Sequence, residues 1–160
     1  MTRIDTTERM LNAVPERVYE ALTDGAALQA WLPPAGMRAE FLALDPRPGG
    51  SFHMILHYPP GQAGLGKSTA TTDEVVGHYT ELVPHERVVL DVHFVNPDGS
   101  HTEAMTMSFD IALAANGTLV NFSAENPPAS ISASDHHVGM SQSLEQLAEY
   151  LIAQAERERG

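Results

Sequence analysis

The chain has 160 residues and no cysteine, so it carries no disulfide framework, no thiol nucleophile and no thiolate metal site. Nine Lys+Arg against 21 Asp+Glu leave a formal net charge of -12, a surface that repels phosphate backbones and anionic headgroups and disfavours nucleic-acid or membrane binding. The length predicts one domain, residues 1–160, and no run of about 18 apolar residues or apolar leader marks a membrane span or signal peptide, which points to the cytoplasm.

Ile4 to Leu11 reads as a first strand. Pro15 then opens a short helix with Val18, Tyr19 and Leu22 on its apolar side, and Thr23-Asp24-Gly25 breaks it. Ala26 to Leu32 is a second short helix carrying the sole tryptophan, Trp31, and Pro33-Pro34 stops it. Strands follow over Met37–Leu44 and through Phe52, Met54 and Leu56, which alternate with polar neighbours. A Gly/Pro-rich loop, Tyr58 to about Thr72, precedes strands over Val75–Val83, Val88–Val95, Glu103–Ala114 and Leu119–Glu125. Asn96-Pro97-Asp98-Gly99 and Asn116-Gly117 are the strongest turn signals between them.

The last segment predicts a helix over 134–159, capped by Ser134 or Asp135. Met140, Leu144, Leu147, Ala148, Leu151 and Ala155 recur on one face, and at 1.5 Å per residue the helix spans roughly 35 Å. A stripe that long needs an extended apolar surface, which the strands provide. An Asn116-Gly117 turn would pair Leu113 with Val120, Ile111 with Phe122 and Phe109 with Ala124, and the Asn96–Gly99 turn would set Leu90 opposite Met105. Both registers put the apolar members on one face of an antiparallel meander.

The expected fold is therefore α+β: a curved antiparallel sheet of about six to seven strands gripping a long C-terminal helix, with two short helices after the first strand. Several stretches resemble the START (SRPBCC) helix-grip superfamily, in particular its branch similar to the activator of the heat-shock chaperone ATPase. These are Val14-Pro15-Glu16-Arg17-Val18-Tyr19, Trp31-Leu32-Pro33-Pro34, Arg47-Pro48-Gly49-Gly50-Ser51-Phe52, Gly77 through Val88, and Ser143-Leu144-Glu145-Gln146-Leu147. Two features depart from that pattern: Met140 stands where the family often has a tryptophan, and the Tyr58–Thr72 loop is longer and richer in glycine. The resemblance implies a cavity between sheet and final helix, and it leaves three roles in view, because one fold hosts many functions. These are a binder of small apolar or aromatic molecules, a chaperone-activator-type interaction protein, and a polyketide cyclase-like enzyme.

Two apparent motifs are set aside. Gly61-Gln62-Ala63-Gly64-Leu65-Gly66-Lys67-Ser68 fits a phosphate-binding loop as a string, but the Thr-rich run after Ser68 is a poor helix start, and the motif needs a helix N-terminus there. Symmetry about Pro84–Arg87 sets His78 opposite His93 with His53 beside them, a row of imidazoles on the outer face without a dependable further ligand; Glu81, Asp91 and Glu103 are the nearest acids. No metal and no cofactor are expected.

The preferred site is the inner face. Phe52, Met54, Leu56, Leu90, Val92, Phe94, Met105, Met107, Phe109 and Phe122 line it, opposed by Trp31, His137, Met140 and Leu144. Adaptable methionines suit varied apolar partners. Polar groups near it are few: Tyr79, Glu81, His137 and Asn126. His137 sits about 35° from the centre of the helix's apolar stripe and is expected to point inward. A cyclase would rely on His137 and Tyr79, yet no nucleophile elbow, His-Glu-x-x-His motif or carboxylate pair is present. A binding role is therefore preferred over catalysis, with a small apolar or aromatic molecule as partner; a homodimer and a chaperone partner are left open.

Overall fold

A computed structural model describes residues 2–61, 64 and 66–159. Ten elements follow in order: β1 (Ile4–Leu11), α1 (Pro15–Thr23), α2 (Gly25–Trp31), β2 (Arg38–Leu44), β3 (Ser51–His57), β4 (Thr72–Val83), β5 (Arg87–Phe94), β6 (Met105–Ala114), β7 (Gly117–Glu125) and α3 (Ala133–Arg159). Pro15 occupies the first turn of α1, where its missing N–H costs nothing, and Val18, Ala21 and Leu22 bury one side. Asp24 ends α1 and caps α2, its carboxylate accepting the Ala27 N–H at 2.9 Å. The strands form one seven-stranded sheet in the order β1-β7-β6-β5-β4-β3-β2, every pair antiparallel. The α+β helix-grip architecture expected from the pattern is thus the one observed.

All three sequence-derived hairpin registers are corrected, each by two residues. Between β6 and β7 the loop is Ala115-Asn116, so Leu113 pairs with Thr118, Ile111 with Val120 and Phe109 with Phe122. A type I′ Asn-Gly turn needs positive φ at both central residues, but Asn116 keeps negative φ and Gly117 opens β7 at φ 150. There a Cβ would lie 2.2 Å from the Leu11 carbonyl oxygen, so only glycine fits beside β1. Between β5 and β6, Val95 bridges His101, and Thr102, Glu103 and Ala104 intervene before Met105. Leu90 therefore faces Met107, and Met105 faces Val92. Between β4 and β5 a bulge between Tyr79 and Glu81 sets His78 opposite Asp91 and His93 opposite Val76. A slip of two keeps every side chain on its own face, which is why the inner face survives all three corrections.

The bulge also removes the row of imidazoles. His53 bonds Glu74 at 2.7 Å, while His93 Nδ1 donates to the Thr102 carbonyl at 2.8 Å. Among the described residues no group of three or more His, Asp or Glu could hold a metal ion. Within the glycine-rich loop Gln62, Ala63 and Leu65 lie outside the described residues. Beyond them, the Lys67 amide and ammonium bond Asp73 at 2.7 and 3.3 Å, and the Ser68 hydroxyl donates to the Val95 carbonyl at 2.5 Å. β4 then starts at Thr72, where a phosphate loop would need a helix.

Gly77 sits where two strands crowd together. A Cβ there would stand 1.9 Å from the Asp91 carbonyl oxygen, so the β5 backbone approaches closer than any side chain permits. The three helices cover the concave face; the α3 backbone runs nearest β1 and the two short helices and stays farther from the middle strands. Its N-cap is Ser132, whose hydroxyl accepts the Asp135 N–H at 3.1 Å, so the helix starts ahead of the Ser134 or Asp135 cap read from the sequence. No helix among the described residues is long and apolar enough to cross a membrane.

Polar bonds dock the N-terminal half of α3 on β1. His136 Nδ1 donates to Asp5 Oδ2 at 2.7 Å, and the Thr7 and Ser141 hydroxyls share a bond of 3.0 Å. Arg3 pairs with Asp5 at 2.8 Å and donates to the Ile131 carbonyl at 2.7 Å. On the other side the Gln146 amide donates to the Trp31 and Pro33 carbonyls at 2.7 and 2.8 Å, tying α3 to the end of α2. Leu144, Leu147 and Leu151 continue into the core beside Val18, Leu22 and Trp31.

Two outcomes are expected. Gly77→Ala should destabilise the fold by about 1–3 kcal/mol, because the clash is with backbone; a stability from urea unfolding within about 0.5 kcal/mol of the parent would show that the β5 backbone shifts freely. Arg3 first, and then His136, hold the Asp5 carboxyl below its ordinary value. The stabilisation from a depressed carboxyl is complete above the ordinary aspartate range and fades as pH falls through the lowered value, since the unfolded chain takes up its proton first. The stability gap between the parent and Asp5→Asn should therefore shrink from about pH 6 to about pH 3, whereas a constant gap would contradict this role.

Candidate functional site

Holding α3 at its edge leaves space over the middle of the sheet. A pocket of about 200 Å³ lies between the concave face, the first half of α3 and the segment after α2. Period-2 alternation delivers its floor: Phe52, Met54 and Leu56 from β3, Val75 from β4, Val92 and Phe94 from β5, Met105 and Met107 from β6, and Phe122 and Ala124 from β7. Its roof is His136, Gly139, Met140 and Ser143, with Leu32 and Pro34 at the side. A Cβ added at Gly139 would meet no atom within 4 Å, so the helix presents an open gap there rather than a filled layer.

A second cavity of about 20 Å³, room for one water, lies deeper beneath α1 and α2. Leu32, Phe52 and Met107 line both spaces and form the wall between them. Tyr79, Leu90 and Phe109 border only the smaller one. Tyr79 is 2% exposed, and burial pushes its phenol up.

The sequence-predicted site residues therefore divide. Phe52, Met54, Leu56, Val92, Phe94, Met105, Met107, Phe122 and Met140 come together around the larger pocket. Leu90, Phe109 and Tyr79 sit beside the smaller cavity. Trp31 and Leu144 are buried in the core and border neither; the indole N–H donates to the Ala21 carbonyl at 2.8 Å, and its ring meets Phe109 edge-on. Glu81 is exposed and pairs with Arg87 at 2.6 Å, and the Asn126 amide donates to the Ala104 carbonyl at 3.0 Å, so neither polar candidate reaches the pocket.

His137 is the main correction. It is exposed, and its neighbour His136 lines the pocket instead. The buried stripe of α3 is Met140, Ser143, Leu144, Leu147 and Leu151. Taken at 100° per residue, its centre lies roughly 35° from His136 and roughly 65° from His137. Counting Ala148 and Ala155, both only partly covered, had turned the expected stripe toward His137. Sequence reasoning also missed Val75 and Ala124, which period-2 alternation on the inner face could have supplied, and Gly139, which lies one turn from Ser143.

Chemically the pocket is an apolar receptacle with two polar side chains. The Ser143 hydroxyl donates to the Leu32 carbonyl at 3.4 Å. His136 is held by the Asp5 carboxylate, whose own side chain is 6% exposed.

Comparison with known proteins agrees with this architecture. Among the solved structures similar to the chain is the protein CV1439 from Chromobacterium violaceum, 32% identical, covering 92% of this chain and 96% of that one at a TM-score of 0.78. The AHSA1 protein from Silicibacter pomeroyi matches at a TM-score of 0.79, with 19% identity over 95% of this chain and 99% of that one, a likeness of fold. No curated protein matches the chain. The profile of the Activator of Hsp90 ATPase homolog 1-like protein family matches residues 12–152, nearly the whole length, and the chain belongs to that family.

Proposed function

We propose that this protein binds a small apolar or aromatic molecule in the pocket between the sheet and α3. The observation that carries the reading is a space of about 200 Å³ walled by Phe and Met side chains from four strands and left uncapped at Gly139. A cavity of about 150 Å³ already accepts benzene, so a one- or two-ring molecule fits. The methionines, unbranched and polarizable, adapt to its outline at little cost.

The family name raises the alternative of a chaperone partner, whose contacts would use the outer surface. That surface is acidic overall, with a net charge of -12. Its basic side chains at Arg3, Arg17, Arg47, Lys67 and Arg87 are each paired with carboxylates of the same chain. No observation therefore favours that role over the pocket.

Met107, between the two cavities, is the decisive probe. In Met107→Trp the indole should enter the open space, so stability holds or rises while an anilinonaphthalene sulfonate dye, bound by the parent, is excluded. A parent that binds no dye, together with a Met107→Trp variant destabilised by about 1–3 kcal/mol, would mean a solid core and end the reading. Gly139→Leu should likewise block the dye, and it should gain helix stability of several tenths of a kcal/mol or more, because glycine is a poor interior helix residue. Unchanged dye affinity in that variant would place the dye elsewhere.

A further inference from the structure

We infer that the pocket takes a hydroxylated aromatic molecule, a phenol or naphthol, whose O–H donates to Nε2 of His136. This rests on the ligand-binding reading above and names the chemistry of the ligand's polar end. Asp5 accepts Nδ1–H of His136 at 2.7 Å and is itself held by Arg3 at 2.8 Å, while Arg3 also grips the Ile131 carbonyl just ahead of α3. The carboxylate is thus anchored from two sides and cannot turn away from the imidazole.

A carboxylate on Nδ1 commits that nitrogen as donor, which leaves Nε2 of the neutral ring as a lone-pair acceptor. His136 lines the pocket, and its Nε2 has no hydrogen-bond partner among the described residues. Ser143, the other polar side chain on the wall, directs its hydroxyl to Leu32. That hydroxyl oxygen can itself accept but has no free proton to donate, so the strongest polar demand on the wall, an imidazole acceptor, stands beside an otherwise apolar space. A ring bearing a single donor satisfies both, whereas a carboxylate or ketone would set lone pair against lone pair and leave the acceptor unmatched.

The test is isothermal titration of the full chain, at about pH 8 where an imidazole is ordinarily neutral, with naphthol, its methyl ether and naphthalene. The parent should bind naphthol about tenfold more tightly than the ether, the scale of one net hydrogen bond. In His136→Leu that ratio should fall to about one while naphthalene affinity stays within about threefold, and a ratio cancels general damage to the pocket. Asp5→Asn should lower the ratio too, because an amide can donate to Nδ1 and turn Nε2 into a donor. Should His136→Leu not fold, nitrogen-15 spectra of the parent decide the matter: the Nε2 resonance should move with naphthol and not with the ether. A parent that binds naphthalene with a naphthol-to-ether ratio near one, or a ratio that survives in His136→Leu, would overturn the hydroxyl handle and leave the pocket standing. Binding of none of the three probes would remove both.

Discussion

Everything distinctive here depends on how α3 is fastened. A helix of 27 residues could press flat on the sheet, but its first half is fixed through hydrogen bonds to the edge strand β1, at Asp5–His136 and Thr7–Ser141. Its other flank is tied to backbone carbonyls at the end of α2 by Gln146. Directional bonds of this kind set a distance as well as an affinity, whereas apolar contacts alone would favour collapse. Between the two fastenings the helix bridges the curved sheet, its backbone nearest β1 and the two short helices and farther from the middle strands. The pocket is the space left between the curved sheet and the helix.

That arrangement divides the core by role. Toward the C-terminal end of α3, Leu144, Leu147 and Leu151 meet Val18, Leu22 and Trp31 in close packing. Dispersion and burial there hold the fold together. Toward the N-terminal end the same apolar chemistry lines a space that none of the described residues fills. Each methyl and ring facing it forgoes contacts that a packed core would make, at a cost that grows with cavity size. Gly139, a poor choice inside a helix, sits at that gap. Both features are losses for stability alone, and both make sense for a receptacle.

The electrostatics follow the same division. The charged residues paired at Arg17–Glu158, Arg47–Asp45 and Arg87–Glu81 lie on the exposed surface and contribute little each. The Arg3–Asp5–His136 chain is more sheltered and differs in kind, since it connects an ion pair to a group on the pocket wall. A carboxylate in that position orients an imidazole as well as helping to dock a helix. Docking the helix and orienting the imidazole on the pocket wall thus share one set of atoms.

The identity, order and facing of the elements were legible in the sequence because they rest on local rules: Pro15 opening a helix, Pro33-Pro34 ending one, and alternation sorting Phe52, Met54 and Met107 to one face. Pairing partners were not legible. Alternation has a period of two, so a register displaced by two residues leaves an identical apolar pattern, and only backbone geometry at Asn116, at Gly117 and at the Tyr79–Glu81 bulge chooses between them. The helix face was legible only approximately, since which alanines are covered decides whether the stripe centres nearer His136 or His137, and the sheet makes that choice. Asp5 and His136 stand 131 positions apart in the chain, and no spacing rule links them. Their meeting is a property of β1 lying at the sheet's edge beneath α3, which is why the apolar wall of the site could be read from the sequence and its polar pair could not.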